Sequence, residues 1–129
     1  MEGSNYVPLN KLHLYQVAIE LCDIAWEIYE KFDWQTKKVI GDQFVRATDS
    51  HGANIAEGYG RYHYADKNKF YYNARGSLLE GKHWMLLLYK RKLVDKEIFD
   101  NYFNKANHCN MELNKMIKRT YENKNIDKN

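Results

Sequence analysis

Apolar residues recur every three or four positions in four stretches of this chain, which is the spacing of one buried face of an α-helix. The first stretch shows this most clearly, because Leu14, Val17, Leu21 and Ile28 all keep the spacing. No alternation of apolar and polar residues, as a β-strand would show, competes with it. The pattern predicts helices at about 11–32, 37–59, 67–91 and 96–121, and a flexible polar tail at 122–129.

The connections between the predicted helices are short, so neighbouring helices are expected to run in opposite directions. At 129 residues the chain is long enough for one hydrophobic core and leaves no room for a second domain. The prediction is therefore an all-α fold. It is a single domain over residues 1–129, built as an antiparallel up-down-up-down four-helix bundle.

A stripe of polar residues runs along the second predicted helix, inside an otherwise apolar pattern. Helical spacing places on one face Arg46, Ser50, Asn54, Glu57 and Arg61. The third helix offers a thin surface of small residues, namely Ala74, Gly76, Ser77 and Gly81. Such a surface lets another helix come close. An unpaired polar group in a bundle interior costs about 1 to 3 kcal/mol, so we expect a bonded network between the two helices.

In this network Arg46 donates to Glu57 or Glu80, while Asn54 and Ser77 bridge the helices. Its predicted members are Arg46, Ser50, Asn54, Glu57, Ser77 and Glu80.

The same two stretches carry a resemblance to a known family. The residues concerned are Gln43, Arg46, Ala47, Ser50, Asn54, Ile55, Ala56, Glu57, Gly58, Gly60 and Arg61, followed by Phe70, Ala74, Gly76, Ser77, Leu78 and Glu80. They resemble the small four-helix bundle proteins encoded within intervening sequences of bacterial 23S rRNA genes. This chain departs from the usual family pattern at His51-Gly52, where an apolar residue and a proline are usual, and at Val45, which replaces a basic residue.

The resemblance implies self-assembly, since helical bundles of this family form pentamers. More distantly, the family resembles the accessory variability determinant of diversity-generating retroelements, a basic pentameric bundle that binds nucleic acid and its reverse transcriptase. The implied partners are therefore further copies of this chain as a homo-pentamer, nucleic acid with RNA favoured, and a reverse transcriptase or another protein.

Charge is distributed unevenly along the chain. Residues 1–30 carry one lysine against five acidic residues, a net charge of −4; the whole chain carries +3, so the remaining 99 residues carry +7. The predicted nucleic-acid-binding residues lie near the ends of the third and fourth helices, and they are Lys82, Lys90, Arg91, Lys92, Lys115, Lys118 and Arg119. Up-down connectivity separates them into two patches. Each patch is either a solvated helix C-terminus or a phosphate-binding surface.

Eleven tyrosines are many for this length, and several crowd the connection between the second and third helices. They are Tyr59, Tyr62, Tyr64, Tyr71 and Tyr72. Cations interleave with them, namely Arg61, His63, Lys67 and Lys69. Aromatic side chains among cations can stack unpaired bases. They suit a subunit interface equally well, and we favour the interface.

The sequence does not support catalysis, a metal site or a cofactor. A di-iron bundle needs two Glu-x-x-His pairs, and only Glu80 with His83 supplies one. His108 and Glu112 have helical spacing but lack an obvious complement, and His51 is expected to be a hydrogen-bonded interior histidine. The two cysteines, Cys22 and Cys109, lack metal or redox spacing and are expected to be small buried residues.

The N-terminus has no basic region followed by an apolar run, and no stretch is long and apolar enough to span a membrane. We therefore expect a cytoplasmic protein without membrane association. The predicted function is that of a non-enzymatic, oligomeric four-helix bundle that binds structured RNA or an RNA-containing complex through basic patches. The alternative is a protein-protein interaction scaffold that does not bind nucleic acid.

Overall fold

The computed structural model describes the backbone of residues 7–128 and the side chains of residues 7–124. Four long helices make up most of this part of the chain: α1 (His13–Glu30), α2 (Asp42–Tyr59), α3 (Tyr64–Lys90) and α4 (Lys96–Lys128). Within residues 7–128 there is no β-strand. The predicted all-α four-helix bundle is confirmed.

Two helical turns precede α2 without interruption. The chain forms an α-helical turn over Trp34–Thr36 and a π-helical turn over Lys37–Gly41 before α2 begins. Helicity thus starts a few residues before the predicted position 37, because the Asp33 carboxylate accepts a hydrogen bond from the Thr36 amide at 2.8 Å and caps the first turn. A 3-10 turn over Leu9–Lys11 leads into α1.

The last helix is longer than the apolar pattern predicts. The backbone of α4 stays helical to Lys128, whereas the pattern placed its end near Tyr121. Residues 122–128 contain neither glycine nor proline, so nothing in the sequence terminates the helix there. The start of α4 agrees closely with the prediction, since Asp95 caps it by accepting from the Ile98 amide at 2.9 Å.

Contacts between helices show that neighbours run in opposite directions. Between α3 and α4, Tyr72 contacts Tyr121, Arg75 contacts Asn114 and Lys82 contacts Asn107. Residue numbers thus rise along α3 while those of the contacted residues on α4 fall, so the two helices are antiparallel. The same holds for α1 with α4 and for α1 with α2. It also holds for α2 with α3, where Thr48 lies near Gly81, His51 near Ala74 and Gly58 near Tyr71. Each helix therefore packs against two neighbours in an up-down-up-down square.

Apolar side chains from all four helices fill the centre of the bundle. The largest fully buried ones include Tyr71, Tyr102, Phe44, Leu21 and Ile40. Buried polar contacts between helices interrupt this core. Thr48 and Tyr102 share a hydrogen bond of 2.8 Å, and the Nδ1 atom of His51 lies 2.8 Å from the carbonyl oxygen of Ala74. The prediction of an interior, hydrogen-bonded His51 is confirmed.

The predicted interior network between α2 and α3 is wrong. Arg46, Glu57 and Glu80 are exposed to solvent, and Ser50, Asn54 and Ser77 are half-buried. The spacing did place the stripe on one face of α2, but spacing alone does not say which way that face points. The core instead receives the apolar side of α2, because burying arginine and glutamate costs far more than leaving them in water.

The hydrogen bonds and the ion pair made by the residues of the predicted network are local, each spanning four positions in the sequence. Glu57 pairs with Arg61 at 2.8 Å, and the Asn54 side chain donates to the Ser50 carbonyl oxygen at 3.0 Å. Glu80 accepts a hydrogen bond from the Trp84 ring nitrogen at 3.3 Å. None of these contacts joins α2 to α3, so small residues rather than a polar network set the close approach of the two helices.

The close approach itself occurs at glycines. A β-carbon on Gly58 would lie 2.8 Å from the Tyr71 ring of α3, and one on Gly81 would lie 3.2 Å from the Thr48 hydroxyl of α2 and 2.5 Å from the Tyr102 hydroxyl of α4. Gly76 is different, because a β-carbon there would meet nothing within 4 Å. Two of the small positions on these helices are therefore packing sites, and Gly76 is not.

The two cysteines are free thiols in or near the core. The Cys22 thiol donates to the Thr48 carbonyl and the Cys109 thiol to the Val17 carbonyl, each at 3.6 Å. Burial raises the pKa of both thiols to about 12, so neither is a reactive thiolate near neutral pH. Among residues 7–128, no helix combines the length and apolar character that a membrane crossing requires.

Candidate nucleic-acid interface

One basic cluster lies where α3 ends and the chain turns into α4. Lys90, Arg91 and Lys92 are all exposed there, and we call this end of the bundle the α3–α4 end. Hydrogen bonds from the Lys92 amide to the Tyr89 carbonyl and from the Leu93 amide to the Leu88 carbonyl close the helix. This pattern requires a residue in the left-handed region, and Lys92 occupies it with φ of 62°.

Replacing Lys92 by glycine is expected to stabilise the protein by about 1 kcal/mol, because a side chain in left-handed conformation costs about that much and glycine does not. Lys90→Gly removes the same charge from the same cluster but puts glycine inside the last helical turn, so it should destabilise by up to about 1 kcal/mol. Chemical denaturation followed by circular dichroism measures both. Equal shifts in the two variants would show that charge, and not backbone conformation, controls stability here.

Lys82 does not belong to this cluster. It is half-buried on the side of the bundle, where its ammonium donates to the Asn107 side chain at 2.6 Å and lies 5.7 Å from the centre of the Phe103 ring. Lys90 is two helical turns further on, about 12 Å along the axis. The grouping of Lys82 with the end of the third helix is therefore corrected: it bridges α3 and α4.

The second cluster lies at the opposite end of the bundle, beside the connection from α2 to α3. We call this the α2–α3 end. Lys118 and Arg119 are exposed there on α4, and Arg119 lines a groove together with Lys11. Lys115 lies one turn earlier on α4, and its ammonium forms an ion pair with the Glu112 carboxylate at 3.2 Å. Lys11 is not among the residues predicted to bind nucleic acid, because it lies in the acidic part of the chain.

A concave surface of about 530 Å³ occupies the same end, at the α2–α3 connection. Its lining is aromatic and cationic, and comprises Leu9, Ala56, Tyr59, Gly60, Arg61, Tyr62, Tyr64 and Lys67. The Lys67 ammonium donates to the Tyr59 carbonyl at 2.9 Å, and its partial burial lowers its pKa. Tyr62 is the most exposed of these side chains, with 86% of its surface accessible.

Cations at this connection lie over aromatic rings. The Arg61 guanidinium is 4.7 Å from the centre of the Phe70 ring, and the Lys69 ammonium is 6.0 Å from it. Two of the tyrosines predicted for this cluster take other places. Tyr71 is buried in the core, and Tyr72 shares a hydrogen bond of 3.1 Å with Tyr121. An aromatic sequence run in a helix is thus divided between core and surface.

Three features therefore coincide at the α2–α3 end: free cations on α4 and before α1, a concave surface, and an exposed tyrosine among cations. Cations of this kind contact phosphates, while exposed aromatic rings stack on unpaired bases. The α3–α4 end also has a concave surface, of about 720 Å³, which includes Lys90 and Lys92 but a single aromatic side chain, Tyr89. The two patches predicted from the sequence are located at opposite ends, and the surface at the α2–α3 end is the more aromatic of the two, with Tyr59, Tyr62 and Tyr64 in its lining.

The chain matches, over residues 10–118, the family model described as 23S rRNA-intervening sequence protein. A comparison with curated proteins finds no match. Five solved chains match. One is a crystal structure, from Bacteroides thetaiotaomicron, of a protein with unknown function from the S23 ribosomal protein family. The two structures share a TM-score of 0.76 and 24% sequence identity, over 81% of this chain and 98% of that chain, which confirms the fold.

Proposed function

Since this chain belongs to the 23S rRNA-intervening sequence protein family, we propose that it is a non-enzymatic, oligomeric four-helix bundle that binds nucleic acid, with RNA as the favoured ligand. The observation that carries this proposal is the concave surface at the α2–α3 end. There an exposed tyrosine, Tyr62, lies among Arg61 and Lys67, and Lys118 and Arg119 stand on the same end of the bundle.

RNA fits this surface better than duplex DNA. Proteins recognise RNA mainly at loops, bulges and ends, where unpaired bases can stack on aromatic or arginine side chains. Phosphates near such a base would meet the lysine and arginine side chains of α4. The bound ligand would therefore be a structured RNA with an unpaired segment, held by charge and stacking with little sequence readout.

Self-association, as a homo-pentamer, is the second part of the proposal. Trp26 on α1 exposes half of its surface, and it borders a shallow groove between α1 and α2 that also includes Tyr29 and Val45. Acidic α1 surfaces facing the basic remainder of a neighbouring copy would close a ring by rotation. A ring repeats the α2–α3 surface, which raises affinity for one long RNA.

The alternative is a scaffold for a protein partner, such as a reverse transcriptase, without contact to nucleic acid. The same groove between α1 and α2 supports it, because tryptophan and tyrosine at a surface are typical of protein interfaces. Binding experiments distinguish the two functions, since charge reversal at the bundle ends affects nucleic-acid binding and leaves the groove between α1 and α2 unchanged.

Reversing two charges at the α2–α3 end, in the variant Lys118→Glu/Arg119→Glu, is expected to weaken RNA binding by at least tenfold. If both side chains contact phosphates, the slope of log affinity against log salt should also fall by roughly 1.4 units for a single strand. Fluorescence anisotropy with a labelled RNA hairpin carrying an unpaired loop, measured over a salt series, gives both numbers. The oligomer mass is determined in the same buffers.

The matched control is Lys90→Glu/Lys92→Glu, which makes the same charge change at the opposite end. We expect it to weaken binding less, because the concave surface beside Lys90 and Lys92 is lined by one aromatic side chain, Tyr89, whereas three tyrosines line the surface at the α2–α3 end. Equal losses in both variants would assign binding to general charge and not to this end. Failure of the unmodified protein to bind RNA at low salt would eliminate nucleic-acid binding and favour the scaffold.

A further inference from the structure

A group of three metal-ligating side chains forms where the beginning of α1 meets the middle of α4. Among the described residues, His13, His108 and Glu112 place one ligand atom each within 4.8 Å of one another. The Nε2 atoms of His13 and His108 each lie 3.9 Å from a carboxylate oxygen of Glu112, and they approach different oxygens. We propose that these three residues bind a divalent transition-metal ion, with Zn²⁺ the best-suited ion.

The chemistry of the three ligands favours this class of metal. Imidazole nitrogens suit zinc, copper, iron and nickel, whereas magnesium and calcium prefer sites made of oxygen atoms. Two histidines and one carboxylate, completed by water, make up a known class of four-coordinate zinc site. His108 and Glu112 lie one helical turn apart, so their side chains project from the same face of α4. The third ligand comes from another helix, which makes the site a link between α1 and α4.

The distances require only side-chain adjustment. Zinc bonds of about 2.1 Å hold neighbouring ligand atoms about 3.4 Å apart in a tetrahedral site, so the observed separations must shrink by roughly 0.5 to 1.4 Å. The His13 side chain is 63% exposed and is free to rotate. Two contacts already join α1 and α4 nearby. The Cys109 thiol donates a hydrogen bond to the Val17 carbonyl at 3.6 Å, and the Lys105 ammonium pairs with the Glu20 carboxylate at 2.8 Å. Binding therefore needs no movement of the helices.

Surrounding charges modulate the site. The Lys115 ammonium lies 3.2 Å from the Glu112 oxygen that faces His108, so it competes with a metal ion for that oxygen. Lys115 is largely exposed and can turn into solvent. The hydrogen bond from Lys105 is the main reason that the pKa of Glu20 is lowered, and electrostatic interaction with His108 and His13 lowers it further. One competing cation and one nearby carboxylate predict moderate affinity, in the micromolar range and not the picomolar range of buried zinc sites.

The site lies on the α1–α4 side, and none of its residues lines the concave surface at the α2–α3 connection. His13 and Glu112 do line the groove shared by Lys11 and Arg119, so a bound metal ion would add positive charge beside those two cations. Its other expected effect is mechanical, because a metal ion joining His13 to α4 would fix the start of α1 against the bundle. Binding to the folded state alone also raises the melting temperature as metal is added.

The test uses the full-length protein without any histidine tag, stripped of metal by a chelator. Isothermal calorimetry with Zn²⁺ should show one saturable site per chain, and Co²⁺ should develop the visible absorption bands of a low-symmetry site. His13→Ala and His108→Ala should each weaken binding at least tenfold. The control His83→Ala, which removes an exposed histidine elsewhere on α3, should leave binding unchanged.

A fourth variant, Lys115→Gln, guards against loss of binding through misfolding. It removes the cation that competes for Glu112, so it should tighten Zn²⁺ binding several-fold, a gain that damage to the fold does not produce. No saturable binding by the unmodified protein would overturn the proposal. So would binding that survives in both His13→Ala and His108→Ala, or that Lys115→Gln leaves unchanged.

Discussion

Gly81→Ala should destabilise the bundle by about 2 kcal/mol or more, although alanine is the better helix former by about 1 kcal/mol. The added β-carbon would lie 2.5 Å from the Tyr102 hydroxyl and 3.2 Å from the Thr48 hydroxyl. Both oxygens are fully buried and bond each other at 2.8 Å. The rigid Tyr102 ring, which packs on Phe44, cannot swing aside without moving the core, and overpacking of this kind costs about 1 to 3 kcal/mol. Breaking the hydrogen bond adds to that cost.

Gly76→Ala is the matched control, on the same helix. A β-carbon at Gly76 meets nothing within 4 Å, so this variant should gain about 1 kcal/mol from helix propensity alone. Urea denaturation at several protein concentrations measures both variants and separates folding from assembly. The double variant Gly81→Ala/Tyr102→Phe lacks the Tyr102 hydroxyl oxygen. If that oxygen causes the clash, the double variant should recover part of the unfolding free energy that Gly81→Ala loses. A loss that Tyr102→Phe does not reduce would contradict the contact.

Acidification should destabilise the protein through His51. This side chain is fully buried in α2, and burial lowers its pKa below the ordinary value of 6.5. The carbonyl oxygen of Ala74 can only accept, so Nδ1 carries the proton, and Nε2 is buried with no hydrogen-bond partner. The folded protein therefore holds the ring neutral, while the unfolded chain takes up a proton near pH 6.5.

The unfolded state therefore binds more protons at acidic pH, so stability rises with pH. Above about pH 6.5 the ring is neutral in both states, so the full contribution of His51 to the free energy of unfolding is present. Each pH unit below that value, as far as the lowered pKa of the folded state, removes at most about 1.4 kcal/mol of unfolding free energy. Urea denaturation between pH 5 and pH 8 measures this slope.

Comparison with His51→Asn isolates the effect of His51. Asparagine keeps a donor for the Ala74 carbonyl but does not titrate, so the variant should be less stable at pH 8 because of the smaller side chain. Its unfolding free energy should nevertheless fall less between pH 7 and pH 5 than that of the unmodified protein. Parallel pH profiles for the two proteins would mean that other groups, such as surface carboxylates, control the acid sensitivity.

The candidate sites show where sequence reasoning stops. Lys118 and Arg119 could be identified from charge clustering, and the tyrosines of the α2–α3 connection from their crowding. Lys82 was misplaced, because closeness along a helix was mistaken for closeness in space. His108 and Glu112 were recognisable as a pair one turn apart, but their complement His13 lies in a distant segment, and only antiparallel packing of α1 on α4 brings it there.

The sequence by itself determined the number of helices, their order and their up-down arrangement. These features depend on interactions between residues that are close in the sequence, namely the apolar spacing, the cap at Asp95 and the short connections. Each of these can be recognised directly in the sequence. It also indicated that small residues would bring α2 and α3 together, which holds at Gly58 and Gly81 but not at Gly76.

Only the tertiary structure decided which face of α2 points inward. A helix with both an apolar stripe and a charged stripe buries the charged one only where neighbouring helices supply partners for it. The neighbours of α2 instead supply partners for its other face, namely the Ala74 carbonyl for His51 and the Tyr102 hydroxyl for Thr48, so the charged stripe stays in water. Which side chains are buried, which polar groups pair and whether His13 meets His108 and Glu112 all depend on how the helices pack, so they cannot be predicted from one segment alone.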